Sequence, residues 1–258
     1  MKTGLVLSGG GVRGIAHIGA IKALEEHGII PDIIAGTSAG AIVGALYAGG
    51  NTPEEILHFF KSVNPFSISN YAVNKPGFVN SEKLYPHFKA VLPQDTFEAL
   101  KIPLVVTATN ILEGTLQVFR KGALIRAVIA SAAFPGIFTP VRIGDDHYVD
   151  GGTLNNFPAD LIQQECNSLI GVHVNPFEKV ALKDLKYFYN VVERSFQIRS
   201  AMESMTKFSM CDLVICPEDL GNFSTFSMRE MDKIYLLGYT ATNKALATSK
   251  GKALMKAL

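Results

Sequence analysis

Five residues, Gly36-Thr37-Ser38-Ala39-Gly40, constrain this chain more than any others. They stand between a short β-branched run, Asp32-Ile33-Ile34-Ala35, and an apolar segment from Ala41 to Ala48 that closes at Gly49-Gly50. A G-x-S-x-G joining a strand to a helix reads as a nucleophile elbow. So tight a turn leaves no room for side chains two residues either side of the serine, which explains Gly36 and Gly40. The Ser38 hydroxyl is thereby presented in the open, at the positive end of a helix dipole that favours developing negative charge. A serine that merely caps a helix after a glycine turn has the same local sequence. The choice between the two depends on the rest of the chain.

The chain opens with a strand pattern, Thr3 to Ser8, which runs directly into Gly9-Gly10-Gly11-Val12-Arg13-Gly14. A helical pattern through Ile15, Ile18, Ile21, Ala23 and Leu24 follows and stops at Gly28. The hexapeptide fits G-x-G-x-x-G. A dinucleotide site also wants an acid at the C-terminal end of the second strand, to hold a ribose hydroxyl. Here Asp32 begins that strand and Gly36-Thr37-Ser38 ends it. No Gly-Lys-Ser/Thr follows, so a Walker loop is excluded. What remains is a row of backbone N–H groups at a helix N-terminus, beside the strand that carries Ser38. Such a loop is suited to hold an oxyanion, and a plain tight turn is the alternative.

Pro53 to Ser62 reads as an amphipathic helix capped by Thr52. From Val63 to Asn80 the pattern breaks, with Pro65, Pro76 and Gly77 among Phe66, Ile68, Tyr71, Val73 and Phe78. So apolar a stretch either covers the core or rims a substrate entrance. Pro103 to Asn110 and Thr115 to Phe119 read as a hairpin through Glu113-Gly114, and Leu124 to Ala133 as a helix. Phe138 to Ile143 and His147 to Val149 read as short strands that deliver Asp150-Gly151-Gly152, a dipeptide type that commonly marks only a turn. Then come a short helix from Pro158 to Glu165, a buried strand from Leu169 to Val174, and a long helix from Asp184 to Met210. That helix carries a Leu185, Phe188, Val192 and Phe196 stripe. A last strand runs from Asp212 to Cys216, and a helical tail from Met228 to Leu258. Lys233, Lys244, Lys250, Lys252 and Lys256 of the tail fit a solvated face better than attraction to a membrane surface. No repeat, linker or low-complexity segment interrupts the chain. The expectation is one α/β domain over residues 1–258.

Bulk properties narrow the function classes. Lys+Arg 24 against Asp+Glu 23 leaves a net charge of +1, so no global field argues for a nucleic-acid partner. The N-terminal apolar run is too short for a signal peptide, and no window suits a membrane span. Cys166, Cys211 and Cys216 are odd in number and match no metal spacing, and the six histidines are scattered. A reduced, cytoplasmic protein without a metal or cofactor is expected. An α/β-hydrolase would place several strands before its elbow and order its triad Ser, Asp, His. Only one strand precedes that of Ser38. His173 lies in an apolar strand and reads as a core residue, and His147 is the better spare base.

Four blocks in order, spanning about residues 4–175, resemble the bacterial patatin-like phospholipase family. They are the glycine-rich loop with its basic residue (Gly9 to Gly14), the G-x-S-x-G (Gly36 to Gly40), the small-residue block with spaced prolines (Ala130 to Pro140), and Asp150-Gly151-Gly152. No motif position departs from the pattern, and residues 176–258 form a helical part without motifs. The resemblance implies a three-layer sandwich with a mainly parallel central sheet flanked by helices. It also implies a Ser38–Asp150 dyad acting on lipid acyl esters through an acyl-enzyme. The oxyanion loop would comprise Gly9, Gly10, Gly11, Val12, Arg13 and Gly14, with the N–H groups of Gly10, Gly11 and Val12 foremost. Its expected partners are a lipid or acyl-ester substrate and, peripherally, a membrane surface. A carboxylesterase using Ser-His-Asp, a nucleotide-binding module and a catalytically silent lipid-binding regulator are the competing readings. An aspartate near its reference pKa of about 3.9 is a poor base for a serine hydroxyl, so the dyad demands a desolvated carboxylate.

Overall fold

The computed structural model describes residues 2–65, 67, 70–72, 74–177, 179–182, 185–225 and 228–257. The helix stripe expected at Leu185, Phe188, Val192 and Phe196 therefore lacks a described Phe188 side chain, and Phe66, Ile68 and Val73 lie outside the described residues.

The sheet is built around β1 (Thr3–Leu7), whose five residues are all buried, as in β2 (Ile33–Thr37) and β7 (Ser168–Val172). Strands buried on both faces are the mark of a parallel sheet covered on both sides. The order is β5-β6-β3-β2-β1-β7-β8, with β3 (Leu104–Asn110), β5 (Val141–Ile143), β6 (Asp146–Asp150) and β8 (Leu213–Ile215). The pairs β3–β2, β2–β1, β1–β7 and β7–β8 are parallel, while β3–β6 and β5–β6 are antiparallel. An eighth strand, β4 (Thr115–Phe119), hairpins onto β3.

Alternation sorts the strand side chains into two layers. Leu5, Leu7, Ile34, Val106 and Ile170 face helices α1 (Ile15–Glu26), α2 (Ala39–Ala48) and α5 (Leu124–Ser131). Val6, Ile33, Ala35, Val105 and Leu169 face the other way, onto Phe157, Ala159, Ile162 and Cys211. One helical layer is thick, reinforced by α3 (Pro53–Ser62) and α7 (Met231–Ala247). The opposite layer is thin, made largely of single 3-10 turns. The expected α/β sandwich with a mostly parallel sheet is present.

Local differences from the sequence reading have local causes. The helix expected over Pro158 to Glu165 is two 3-10 turns, Ala159–Leu161 and Gln163–Glu165, broken where Ile162 leaves helical geometry to bury its side chain. The tail helix divides at Thr248, whose extended backbone ends α7 and whose hydroxyl accepts the Gly251 N–H at the start of α8 (Ser249–Ala257). The strand expected from Phe138 begins only at Val141; Phe138 itself bridges Val79. Helix α4 (Tyr85–Val91) went unread, being short and lacking a clear apolar period. The long helix expected over 184–210 is α6 (Phe188–Thr206). Helix α3 and its Thr52 cap match the expectation, with a reciprocal bond to Glu55 completing a capping box.

Candidate active site

Two strands meet end to end on one edge of β3. Val106 and Thr107 pair with Gly36 and Thr37 of β2 on one side and with Phe119 and Val118 of β4 on the other. Ala108 to Asn110 pair with β4 and with Asp150 to Tyr148 of β6. Because β4 occupies one edge throughout, β2 and β6 must share the other, running toward each other. Their C-terminal tips converge at Thr107 and Ala108. Ser38 leaves one tip and Asp150 ends the other, 112 residues apart in sequence.

The elbow has the geometry its glycines require. Ser38 has φ 54°, a conformation that costs a non-glycine residue about 1–3 kcal/mol. A Cβ on Gly36 would lie 2.5 Å from the Gly40 carbonyl oxygen, and one on Gly40 would overlap the Leu7 carbonyl. The strained turn is held by the Ser38 N–H donating to Ser131 Oγ at 2.8 Å. Below it, Thr37 Oγ1 lies 2.6 Å from Thr107 Oγ1 and donates to the Asn155 carbonyl at 2.9 Å. These polar groups are wholly buried between strands, so they stiffen the tip on which the serine rides. The sequence reading missed Ser131, Thr107 and Asn155 as supports. Ser131 and Thr107 are polar residues within apolar runs, whereas Asn155 acts through its backbone carbonyl and leaves no such signal.

Ser38 Oγ donates to Asp150 Oδ2 at 2.6 Å. The other carboxylate oxygen, Oδ1, accepts the Gly152 N–H at 2.7 Å. Asp150 is only 2% exposed, and burial pushes its carboxyl up to about 6, against the opposing pull of the Ser38 and Gly152 bonds. Among the described residues no histidine bonds either member of the pair. His147 lies an odd number of residues from Asp150 on β6 and so projects from the opposite face of that strand. His173 packs between Phe157 and Phe208. The buried serine–carboxylate contact is thus direct.

The glycine loop lies against both residues. Its Ser8 carbonyl accepts from His17 Nε2 at 2.8 Å, and its Gly9 carbonyl from Asn175 Nδ2 at 2.8 Å. In a trans peptide the next N–H points away from the carbonyl, so the Gly9 tether turns the Gly10 N–H to the other side. The Gly9 N–H donates to the Asn156 carbonyl and the Val12 N–H to that of Thr225. Arg13 is buried and donates from Nε to the Phe223 carbonyl at 2.8 Å. The N–H groups of Gly10 and Gly11 make no hydrogen bond among the described residues. Gly14, the last residue of the loop, packs against Ala39 of the elbow, while Gly151 packs on Thr107. Asp32, the acid a dinucleotide site would need elsewhere, accepts the Thr3 N–H at the start of β2.

An almost wholly apolar cavity of about 140 Å³ opens from Ser38. Its walls include Ile42, Phe59, Phe88, Ile129, Phe138 and Met231. Pro65 reaches the wall, whereas Tyr71 and Phe78 of the same irregular stretch are exposed.

The family model described as patatin-like phospholipase matches residues 5–162. An uncharacterized NTE family protein of Mycobacterium tuberculosis is 33% identical over 187 residues, 71% of this chain and 52% of that protein. Human patatin-like phospholipase domain-containing protein 6 is 28% identical over 91% of this chain but only 19% of its own length. The chain spans about half the length of the mycobacterial relatives it matches. VipD from Legionella pneumophila shares the fold, with TM-score 0.53 and 16% identity over 95% of this chain and 66% of that one. No helix among the described residues is long and apolar enough to cross a membrane.

Proposed function

The chain belongs to the patatin-like phospholipase family, and on that premise we propose that it hydrolyses lipid acyl esters with Ser38 as nucleophile and Asp150 as its base. The observation that carries this reading is the 2.6 Å bond from Ser38 Oγ to a buried carboxylate raised to about 6. A base poised near the working pH, already touching the proton it must take, meets the two conditions for general-base catalysis. Asp150 accepts the hydroxyl proton as Oγ attacks the ester carbonyl. The negative charge that develops on the carbonyl oxygen is held by the N–H groups of Gly10 and Gly11, the two loop donors without a hydrogen bond among the described residues. Val12 and Gly9 instead tie the loop down, Arg13 anchors it to the 223–225 segment, and Gly14 seats it against the elbow. As the tetrahedral intermediate collapses, Asp150 passes that proton to the leaving oxygen, so the alcohol departs and the acyl group stays on Ser38.

The apolar cavity supports a lipid acyl group over a polar one. An alkyl chain gains about 0.8 kcal/mol for each CH₂ it buries, and beyond Ser38, Asp150 and Thr225 the cavity wall is apolar. A Ser-His-Asp arrangement lacks a histidine in position, and a nucleotide-binding module lacks its acid. The protein acts without a cofactor in this scheme, and its contact with a membrane is peripheral.

The test is a panel of p-nitrophenyl esters of increasing chain length beside phospholipids, with wild type and Ser38→Ala. A fluorophosphonate probe should label the wild type alone, and ester hydrolysis should vanish with the serine. Labelling that survives the substitution, mapped to Ser131 for example, would overturn the assignment.

A further inference from the structure

Ser38 stands on the boundary between two cavities, one almost wholly apolar and the other smaller and richer in polar groups. Gly11, Ser38, Phe134, Asp150 and Thr225 border both. One is the apolar cavity already described. The other is a chamber of about 30 Å³ that also touches Gly10, with Asn156, Asn175, Glu193, Gln197 and Ser200 on its wall and the Phe196 ring beside Phe134 completing it. A water needs roughly 10–15 Å³ of such space and two to four polar partners, so this chamber has room for about two.

Its wall is ordered by hydrogen bonds. Gln197 of α6 donates from Nε2 to Glu193 Oε1 at 3.0 Å and to Thr225 Oγ1 at 3.2 Å. Ser200, one turn on, donates to the Gly152 carbonyl at 3.2 Å, beside the Asp150 carboxylate. Asn175 holds the oxyanion loop through Gly9. The inner face of α6 therefore offers a row of polar side chains beside Phe196, in contrast to the apolar cavity across Ser38.

We propose that this chamber holds the water that attacks the acyl-enzyme, with Gln197 as a positioning residue. The inference rests on the acyl-enzyme reading above. The tetrahedral carbon on Ser38 carries an acyl chain, an oxyanion, Oγ and the alcohol oxygen. The chain takes the apolar cavity and the oxyanion takes the glycine loop, which leaves the alcohol oxygen facing the mouth of the chamber, whose volume excludes the rest of the alcohol. Deacylation is the same reaction reversed, with water in place of alcohol, so water enters at the position the alcohol vacated. The water oxygen bonds to the acyl carbon while Asp150 takes its proton. The Oγ–carbon bond then breaks, the proton passes from Asp150 to Oγ, and the fatty acid leaves. An apolar cavity holding the acyl chain cannot supply that water, and the chamber can.

The experiment separates attack by Ser38 from attack by water. Fluorophosphonate labelling of the full chain needs only the first, whereas turnover of p-nitrophenyl butyrate needs both. Gln197→Leu gives the chamber wall an apolar group and removes its central amide. We expect labelling within about twofold of wild type, a burst approaching one p-nitrophenol per enzyme, and steady turnover lowered about tenfold or more. Unchanged steady turnover would overturn the proposal, as would a parallel fall in labelling and turnover at unchanged melting temperature. Should Gln197→Leu melt lower and label poorly, Gln197→Met puts an unbranched chain at the same place and is read by the same criteria. A wild type that neither labels nor turns over would remove the dyad reading itself, and this inference with it.

Discussion

Asp150 at the tip of β6 and the histidines beside β1 and β7 are buried alike: 2% exposed for Asp150 and His173, 0% for His17. Burial penalises charge in all three, and the shifts run in opposite directions because the charged forms differ. The carboxyl rises to about 6 and each imidazole falls to about 4. Hydrogen bonding separates the regions. Asp150 receives two donors, Ser38 Oγ and the Gly152 N–H, which keep its ionised form within reach of neutral pH. Among the described residues His173 Nε2 and His17 Nδ1 have no partner, and the His173 ring lies against two aromatic rings. Burial with donors poises a base; burial among aromatics makes a neutral core residue. His17 has a further use, since its Nε2–H holds the Ser8 carbonyl at the root of the glycine loop.

The largest expected effect is at the carboxylate end. Asp150→Asn should lower turnover by about 10⁴, the scale seen when a serine hydrolase loses its triad acid, with Ser38→Ala lower still. A much smaller loss, measured as kcat/KM on p-nitrophenyl butyrate, would break the contrast by showing that Asp150 is no better a base than the histidines.

Next comes the pH profile. Asp150 must be ionised to accept a proton, so kcat/KM should climb about tenfold per pH unit below about 6 and level off above it. A profile flat from pH 4.5 to 7 would remove the raised carboxyl from the reaction.

His147→Ala and His173→Ala should each hold kcat/KM within about tenfold of wild type. If either fell to the Ser38→Ala level with its melting temperature intact, a triad would replace the pair and the two regions would become one site.

The smallest effects concern stability, and their signs oppose. Between about 6.5 and about 4 the unfolded chain protonates His17 and His173 while the native state does not, so the histidine region costs stability as pH falls through that window. Between its ordinary 3.8 and about 6, native Asp150 keeps a proton the unfolded chain has released. Its region therefore loses stability as pH rises through about 6. Asp150→Asn should thus raise the melting temperature by a few degrees at pH 8, with the gain shrinking toward pH 4. A melting temperature lowered equally at both pH values would show that the carboxylate holds the fold together and does not strain it.

The site was legible where its chemistry is local. Gly36, Ser38 and Gly40 constrain one turn, and the structure gives Ser38 the positive φ that such a turn requires. The glycine loop, helix α3 with its Thr52 cap, and the buried strands β1 and β7 are likewise written in adjacent residues. Asp150 was another matter. Its own neighbours say only that a turn follows, and its place in the pair came from the resemblance of four ordered blocks. The supporting atoms, Ser131 Oγ, Thr107 Oγ1 and the Asn155 carbonyl, left no readable spacing because their partners are 70 to 118 residues away.

What the sequence determined by itself is therefore the set of local conformations: which turns need glycine, which runs bury both faces, where helices begin. Those follow from sterics and from the period of apolar side chains, which act over a few residues. The tertiary structure alone decided that β2 and β6 abut on one edge of β3, that Ser38 and Asp150 touch, and that an apolar cavity lies on one side of them and a smaller, more polar one on the other. Those outcomes depend on strand register and on burial, and both arise only when distant segments are packed against each other.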